Sequence, residues 1–416
     1  MRWSLLVDVS PLRENPTFRR LFVGRSVMLF GVGLVGVTVP IHVFALTGST
    51  ASVAAVSSAE SIAFFAGFTA GGVLADRFDR WRVILVARLG SITSFAGLTV
   101  LALLGNTAVW PIAALVVVNG LSGASGITAL LAVLPGLVGR DKLSAVGALN
   151  TLSLRLGTVL APVTGGAVVA LAGPAWSYGA GAAMALVTTP LLRRPSGTVT
   201  RSPAAPGAGP FRALLLGYRH VRRDRVVGGV MIAGVVGMVG GGSLVLVPAL
   251  VHARVGDAPT AVGLMYSALS AGMVVGALGS GWIRRVHRPG LLLLVGMIGC
   301  FLAYAAVGAA PWIPLAAAAI ATAGAINSVE EVLRYTLLQV RTPDALLGRV
   351  NSLFAAQNMS GVAVGALVAG AIGTRLDPMT AFWTYNLAMA AVSVVVLALL
   401  PALRRHRAEE IHAPTT

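Results

Sequence analysis

The sequence predicts an all-α membrane protein in which twelve transmembrane helices form two pseudo-symmetric six-helix bundles. The chain has 416 residues, of which 56% are hydrophobic and 11% are charged, and its mean hydropathy is +0.85. So apolar a composition excludes an ordinary water-soluble protein. Because a span takes about 20 apolar residues, the chain has room for about twelve spans with short connections.

Successive apolar runs, separated by short polar or charged connections, define the predicted spans. They are 18–46, 51–75, 82–104, 109–138, 143–171, 176–192, 226–251, 259–283, 290–309, 312–340, 346–373 and 379–403. The corresponding organisation is an amphipathic N-terminal segment, a first bundle, a linker with a basic amphipathic end, a second bundle and a polar tail. Their respective boundaries are 1–16, 17–192, 193–225, 226–403 and 404–416.

Basic residues are distributed unequally between the two sides of these spans. Only Arg254 and Arg375 fall in connections on one side, whereas nearly all other arginines and the single lysine, Lys142, fall on the other. This asymmetry is typical of cytoplasmic loops, so both termini are predicted to be cytoplasmic in a multi-pass protein of the cell membrane. It also explains the net charge of +17 without a nucleic-acid partner.

The two halves of the chain echo each other about 200 residues apart. The segment 139–143, Gly-Arg-Asp-Lys-Leu, precedes the fifth predicted span, and 342–346, Thr-Pro-Asp-Ala-Leu, precedes the eleventh. Similarly, a Trp-containing connection precedes both the fourth and the tenth spans. These echoes indicate two related six-span repeats.

A short charged connection, Gly71–Arg82, joins the second and third spans. It contains Gly72, Asp76, Arg77 and Arg80 in an order that resembles the loop motif of the major facilitator superfamily, with Asp79 in place of the usual glycine. The resemblance implies two six-helix halves with a substrate site between them near the bilayer midplane. It also implies that this loop acts as a conformational latch by docking near Arg349 at the inner end of the eleventh span.

The fifth span contains a glycine-rich stretch with a central proline. Gly157, Pro162, Gly165 and Gly166 resemble the antiporter motif of the same superfamily, with Ala161 in place of the central glycine. A proline removes one backbone donor, and glycines allow a neighbouring helix to approach closely. The resemblance implies export, whereas ordinary helix packing is the alternative.

Ionisable residues within the apolar runs are candidates for proton coupling because a charge is costly in the bilayer unless it is paired or hydrated. The candidates are Glu60, Arg155, Glu330 and Glu331. Glu60 and Arg155 can form a pair within the first half. Arg334 lies four residues after Glu330 and three after Glu331, so it is expected to neutralise one acid and leave the other to carry a proton.

Polar and aromatic side chains on the predicted cavity helices are candidate substrate contacts. They are Arg25, Phe64, Asn119, Tyr266, Phe354, Gln357 and Asn358. For Arg25 the alternative is that its side chain snorkels to the cytoplasmic surface, and for the others it is interhelical hydrogen bonding or core packing. The six histidines lack ligand spacing and the single cysteine, Cys300, lies in a span, so neither a metal site nor a cofactor is expected, and the energy source is expected to be the proton gradient.

Several runs resemble the enterobactin-exporter branch of the superfamily more closely. They include Leu6–Leu12, Asn15–Arg19, Arg155–Gly157, Trp176–Gly179, Arg288–Leu292 and Tyr335–Asn358. The resemblance implies proton-driven export of a catecholate siderophore. The protein is expected to be a monomer. A multidrug or macrolide exporter is the alternative, and import is the less favoured direction. An enzyme or a sensor is disfavoured because neither a catalytic cluster nor a soluble signalling domain is present in the sequence.

Overall fold

The computed structural model describes residues 10–137, 143–192 and 218–407, and all regular structure in these ranges is helical. Its α-helices are α1 (Ser10–Glu14), α2 (Pro16–Thr47), α3 (Thr50–Arg77), α4 (Arg80–Leu103), α5 (Val109–Leu137), α6 (Leu143–Ala172), α7 (Pro174–Thr188), α8 (218–223), α9 (Arg225–Gly241), α10 (Val247–Val255), α11 (Pro259–Leu278), α12 (Pro289–Ala309), α13 (Ile313–Arg341), α14 (Asp344–Gly373), α15 (Pro378–Leu399) and α16 (Pro401–Arg405).

The predicted all-α membrane fold is confirmed. Within the described residues, eleven helical segments are long and apolar enough to cross a membrane. The remaining predicted span, 176–192, corresponds to the 15-residue α7, which the 3-10 turn Thr189–Leu192 extends. Several predicted boundaries are close to the observed ones; the fourth span, predicted at 109–138, is α5 at Val109–Leu137.

The chain divides into two compact units. The first unit comprises Met1–Leu46, Ala59–Ala205 and Val262–Ser267, and the second comprises Thr47–Ser58, Pro206–Ala261 and Ala268–Thr416. The start of α3 therefore belongs to the second unit, where Thr50 Oγ1 donates to the carbonyl oxygen of Gly370 at 3.1 Å. Ser58 Oγ likewise donates to the carbonyl oxygen of Ala363 at 2.9 Å.

Glycines allow the helices of the first unit to approach closely. A Cβ at Gly67 of α3 would overlap the backbone of Leu121 on α5, and one at Gly71 would lie 2.6 Å from Cα of Ser125. The Ser125 hydroxyl donates to the carbonyl oxygen of Gly67 at 2.9 Å. Small residues four apart thus bring α3 and α5 into backbone contact.

The predicted antiporter motif lies on α6 and packs against α2. A Cβ at Gly165 would lie 2.6 Å from Cγ1 of Val37, and Ala161 is fully buried opposite Gly33. Pro162 lies inside α6, which continues on both sides of it. The motif residues therefore provide close helix packing in the first unit, and their part in antiport stays a prediction.

The seventh predicted span, 226–251, is interrupted in the structure. Helix α9 ends at Gly241, a 3-10 turn covers Gly242–Leu246, and α10 then begins. The Tyr385 hydroxyl donates to the carbonyl oxygen of Val239 at 2.6 Å, so a side chain satisfies an acceptor at the end of α9. The sequence predicts a single helix here. The contact that stabilises the interruption comes from Tyr385, which is distant along the chain, so the local sequence does not reveal it.

In the loop between α3 and α4, the residue that departs from the family motif, Asp79, has a structural role. Asp79 caps α4, because its Oδ1 accepts hydrogen bonds from the backbone nitrogens of Trp81 at 2.9 Å and Arg82 at 3.2 Å. Arg77 is exposed. The side chain of Asp76 lies outside the described part of the structure, and the latch stays a prediction.

Three predicted segments lie wholly or partly outside the described residues. They are most of the N-terminal segment 1–16, residues 193–217 of the linker segment 193–225, and residues 408–416 of the tail 404–416.

Candidate functional site

The first unit contains a cavity of about 180 Å³ between α2, α3, α4 and α5. Four of the residues predicted from the sequence line it, and each of the four helices contributes a polar or charged side chain. The charged and amide side chains that line it are Arg25 on α2, Glu60 on α3, Arg88 on α4 and Asn119 on α5, and the ring of Phe64 lines it as well. The predicted candidates Arg25, Glu60, Phe64 and Asn119 therefore lie at one site.

Glycines on α5 determine how these side chains meet. A Cβ at Gly120 would lie 3.0 Å from the carbonyl oxygen of Glu60, and one at Gly126 would lie 3.0 Å from Cβ of Ala87. Helix α5 therefore approaches both α3 and α4 closely. Because of this packing, Asn119 and Glu60 both line the cavity. Space remains beside Gly123, where an added Cβ would have no neighbour within 4 Å.

Arg88 is the cavity residue that the sequence analysis missed. Its side chain is buried, with 4% exposure, and its Nη1 atom has no hydrogen-bond partner. Arg88 lies near the start of the predicted span 82–104, where it is easily grouped with the charged loop. The signal that identifies it is its position within the apolar run, the criterion that selects Glu60 and Arg155.

The structure does not bring Glu60 and Arg155 together as an ion pair. Arg155 is half-buried, and no ion pair within 4.0 Å is found for either side chain among the described residues. Elsewhere in the first unit, the buried Tyr178 hydroxyl lies 3.2 Å from Nδ1 of His42, so these two polar groups pair with each other.

The second unit contains a packed polar cluster on α13 and α14. Glu330, Arg334 and Gln357 are buried, with exposures of 5%, 4% and 8%, respectively. The Arg334 guanidinium carbon lies 5.1 Å from the ring centroid of Phe354, a cation–π contact. Glu331 is exposed. Of the two acids that the sequence left as alternatives, Glu330 is thus the buried one.

A missing side chain on α9 provides the space for this cluster. A Cβ at Gly234 would lie 2.6 Å from Nη1 of Arg334 and would overlap the Gln357 amide. On α12, Gly296 faces Glu330, whose Cγ would lie 3.5 Å from an added Cβ. Gly234 and Gly296 thus allow long polar side chains to lie among apolar helices.

Hydrogen-bonding capacity in the cluster is only partly used. Buried atoms without a hydrogen-bond partner include Glu330 Oε1, Arg334 Nη1 and both amide atoms of Gln357. Glu330 and Arg334 act on each other electrostatically, although no ion pair within 4.0 Å joins them in the described structure. Buried polar groups are usually hydrogen-bonded, so this spare capacity marks a functional candidate.

The remaining predicted contacts lie elsewhere. Tyr266 is half-buried on α11 and does not line the first-unit cavity. Asn358 is half-buried on α14, and its Oδ1 atom has no hydrogen-bond partner. Within the described residues, no group of three or more His, Cys, Asp or Glu side chains is placed to hold a metal ion.

Similar proteins share nearly the whole length of the chain. It is 38% identical over 408 residues to a protein named Enterobactin exporter EntS from Citrobacter koseri, with 98% of this chain and 97% of that protein covered. A protein of the same name from Shigella boydii is 38% identical over 405 residues, with coverages of 97% and 96%. One from Escherichia coli O1:K1 is 37% identical over 405 residues, also with coverages of 97% and 96%.

Solved transporter structures share the fold at low sequence identity. A mutant of the nucleoside transporter NupG has a TM-score of 0.75 and 14% identity, with 93% of this chain and 99% of that chain covered. A bacterial homologue of the iron transporter ferroportin has a TM-score of 0.70 and 15% identity, with coverages of 94% and 99%. The family described as Transmembrane secretion effector matches residues 7–415. The chain is therefore a multi-pass membrane transporter, not an enzyme, and it belongs to the transmembrane secretion effector family of the major facilitator superfamily.

Proposed function

We propose that the protein exports a catecholate siderophore of the enterobactin type and that inward proton movement drives this export. The observation that carries the proposal is the 37–38% identity, over almost the entire chain, to proteins named enterobactin exporters. The sequence runs that resemble this branch extend from the N-terminal segment to α14. The substrate is thus expected to be a small aromatic iron chelator in its iron-free form.

Proton coupling is assigned to Glu330 in the second unit. Its carboxyl group is buried next to Arg334 and has an oxygen without a hydrogen-bond partner. An anionic carboxylate is costly in an apolar interior, and a neighbouring cation offsets part of that cost. Glu330 therefore has an environment in which both the protonated and the ionised forms are accessible. Glu331 is exposed, so its carboxyl group is not buried in this way.

The proposal includes a place in the cell. The asymmetric distribution of arginines supports an inner-membrane protein whose termini are both cytoplasmic. Export then moves the siderophore from the cytoplasm to the exterior. The working unit is proposed to be a monomer that needs no bound cofactor, because the proton gradient supplies the energy.

Transport by the purified protein in proteoliposomes tests this function. An imposed pH gradient is expected to drive accumulation of an iron-free catecholate siderophore, and a protonophore is expected to abolish it. Glu330→Gln is expected to reduce gradient-driven accumulation at least about tenfold, because it removes the exchangeable proton. Glu331→Gln is the matched comparison on the adjacent exposed position and is expected to retain transport.

Two outcomes would contradict the proposal. Transport of macrolides or other drugs without siderophore transport would instead identify a drug exporter. The assigned proton site would be rejected by siderophore accumulation that is independent of the pH gradient. It would also be rejected if Glu331→Gln reduced transport more than Glu330→Gln does.

A further inference from the structure

The first-unit cavity contains more positive than negative charge. Arg25 and Arg88 line it, whereas Glu60 is its acidic residue. Neither arginine forms an ion pair with Glu60 within 4.0 Å in the described structure. Each arginine has a buried Nη1 atom without a hydrogen-bond partner. The described residues thus leave guanidinium donors unused inside an apolar bundle.

Burial makes the unused donors of Arg88 significant. The side chain is 4% exposed, so it cannot replace the missing partners with bulk water by reaching the surface. An ionised group in such a position is costly and is typically paired or functional. A guanidinium presents a planar fork of donors that matches a carboxylate or a similar oxyanion in a bidentate arrangement. The missing partner therefore has the chemistry of an anion.

Asn119 adds a requirement for a second kind of group. Its Oδ1 atom is buried and has no hydrogen-bond partner. A ligand that places a hydroxyl donor near this oxygen would satisfy it. The ligand is thus an anion that also donates hydrogen bonds.

The size and the walls of the cavity limit the ligand further. Ile84, Ala87, Ile127 and Leu130 provide apolar walls, and Phe64 provides an aromatic ring. The volume of about 180 Å³ is below the roughly 300–1,000 Å³ of sites that enclose a drug-sized molecule. The cavity is therefore suited to a single aromatic ring rather than to a whole multi-ring siderophore.

We propose that this cavity is a subsite for one aryl anion, in which Arg88 binds the negatively charged oxygens and Asn119 accepts a hydrogen bond from a ring hydroxyl. The subsite rests on the proposed export function and specifies it: one hydroxylated aryl arm of the substrate enters the first unit. Arg25 strengthens the positive potential. Glu60 weakens it when ionised, so a bound anion and an ionised Glu60 oppose each other.

Direct binding of a minimal probe tests the subsite without transport. The probe is 2,3-dihydroxybenzoate, titrated calorimetrically into the purified full-length protein in lipid nanodiscs, with neutral catechol as the uncharged comparison. Arg88→Gln is expected to weaken binding of the benzoate probe about 10- to 100-fold and to affect catechol far less, because the contact between the guanidinium and the anionic oxygens of the probe is lost. Arg88→Lys is expected to give an intermediate affinity. Glu60→Gln is expected to tighten binding several-fold.

Arg82→Gln is the matched control, because Arg82 is an exposed arginine on the same helix. It is expected to leave the affinity for the probe unchanged. If Arg88→Gln does not fold, Arg88→Lys and Glu60→Gln still give opposite expected shifts.

Several results would overturn the subsite. They are absence of probe binding to the unsubstituted protein, equal affinities in Arg88→Gln and Arg82→Gln, and equal losses for the anion and for catechol. Failure of siderophore transport, with Arg88-dependent probe binding intact, would contradict the proposed function and leave the aryl-anion site standing.

Discussion

The two units use buried arginines in different ways. In the first unit, Arg88 lies beside an open cavity with one guanidinium nitrogen unpaired. In the second, Arg334 is packed over the Phe354 ring and within electrostatic range of Glu330. The first arrangement has two cations for one acid along the cavity wall, whereas the second has one buried cation for one buried acid.

This difference leads us to expect different functions for the two units, ligand binding in the first and proton coupling in the second. A cation with space in front of it is suited to an anionic ligand that enters and leaves. A buried cation one helical turn from a buried acid offsets the charge of that acid when the proton leaves. We therefore expect substitutions in the first unit to change ligand affinity, and substitutions in the second to change stability and proton coupling.

The largest expected effect is on the stability of the second-unit cluster. Arg334→Leu leaves Glu330 buried without its cation and is expected to lower the free energy of unfolding by about 3–5 kcal/mol. The double variant Glu330→Leu/Arg334→Leu is expected to recover most of this loss because neither charge remains. Denaturant unfolding in detergent measures both. Additive losses in the double variant would show that the two side chains do not form a unit.

The next largest effect is expected at Gly234 on α9, where the second-unit cluster packs against the helix. Gly234→Ala forces Arg334 and Gln357 to move and is expected to cost about 1–3 kcal/mol of unfolding free energy. Gly237→Ala on the same helix is the control, because nothing lies within 4 Å of its added Cβ. It is expected to be neutral or slightly stabilising. Equal melting temperatures for the two variants would mean that the cluster is not packed against α9.

A smaller effect is expected at the interruption between α9 and α10. Tyr385→Phe removes the hydroxyl that donates to the carbonyl oxygen of Val239 and is expected to cost about 1–2 kcal/mol. Tyr335→Phe, at a side chain that is 52% exposed, is the control and is expected to change stability little. Thermal unfolding measures the stability of both variants. An unchanged melting temperature in Tyr385→Phe would mean that this hydroxyl does not stabilise the interruption between α9 and α10.

The smallest effect concerns the first unit away from its cavity. Asp79→Ala removes the cap of α4 and is expected to cost about 1 kcal/mol, whereas Asp79→Asn retains a capping oxygen and is expected to cost less. Affinity for 2,3-dihydroxybenzoate is expected to stay unchanged in both. Loss of probe binding in Asp79→Ala would mean that the loop and the cavity are coupled.

Much of the fold was predictable, because apolar runs and charged connections depend on local sequence. The break in the seventh span was not, although Gly240, Gly241 and Gly242 follow one another there. Its stabilising partner, Tyr385, is 146 residues away from Val239, and no local pattern identifies such a contact.

The candidate site was partly predictable. The free-energy cost of placing a charge in the bilayer identified Glu60 and Glu330 as candidates. Spacing along the helix did not distinguish Glu330 from Glu331, because Arg334 is within reach of both. Burial of Glu330 opposite Gly296 of α12 makes that distinction. Arg88 was missed because its depth in the bundle depends on where α4 begins, at Arg80, and on how closely α5 packs against it.

The most direct test of this division compares gradient-driven accumulation with substrate counterflow in the same proteoliposomes. Counterflow exchanges labelled for unlabelled siderophore and needs substrate binding but no net proton movement. Glu330→Gln is predicted to lose gradient-driven accumulation and keep counterflow, whereas Arg88→Gln is predicted to lose both. Gradient-driven accumulation by Glu330→Gln at the unsubstituted rate, or normal counterflow by Arg88→Gln, would contradict the account.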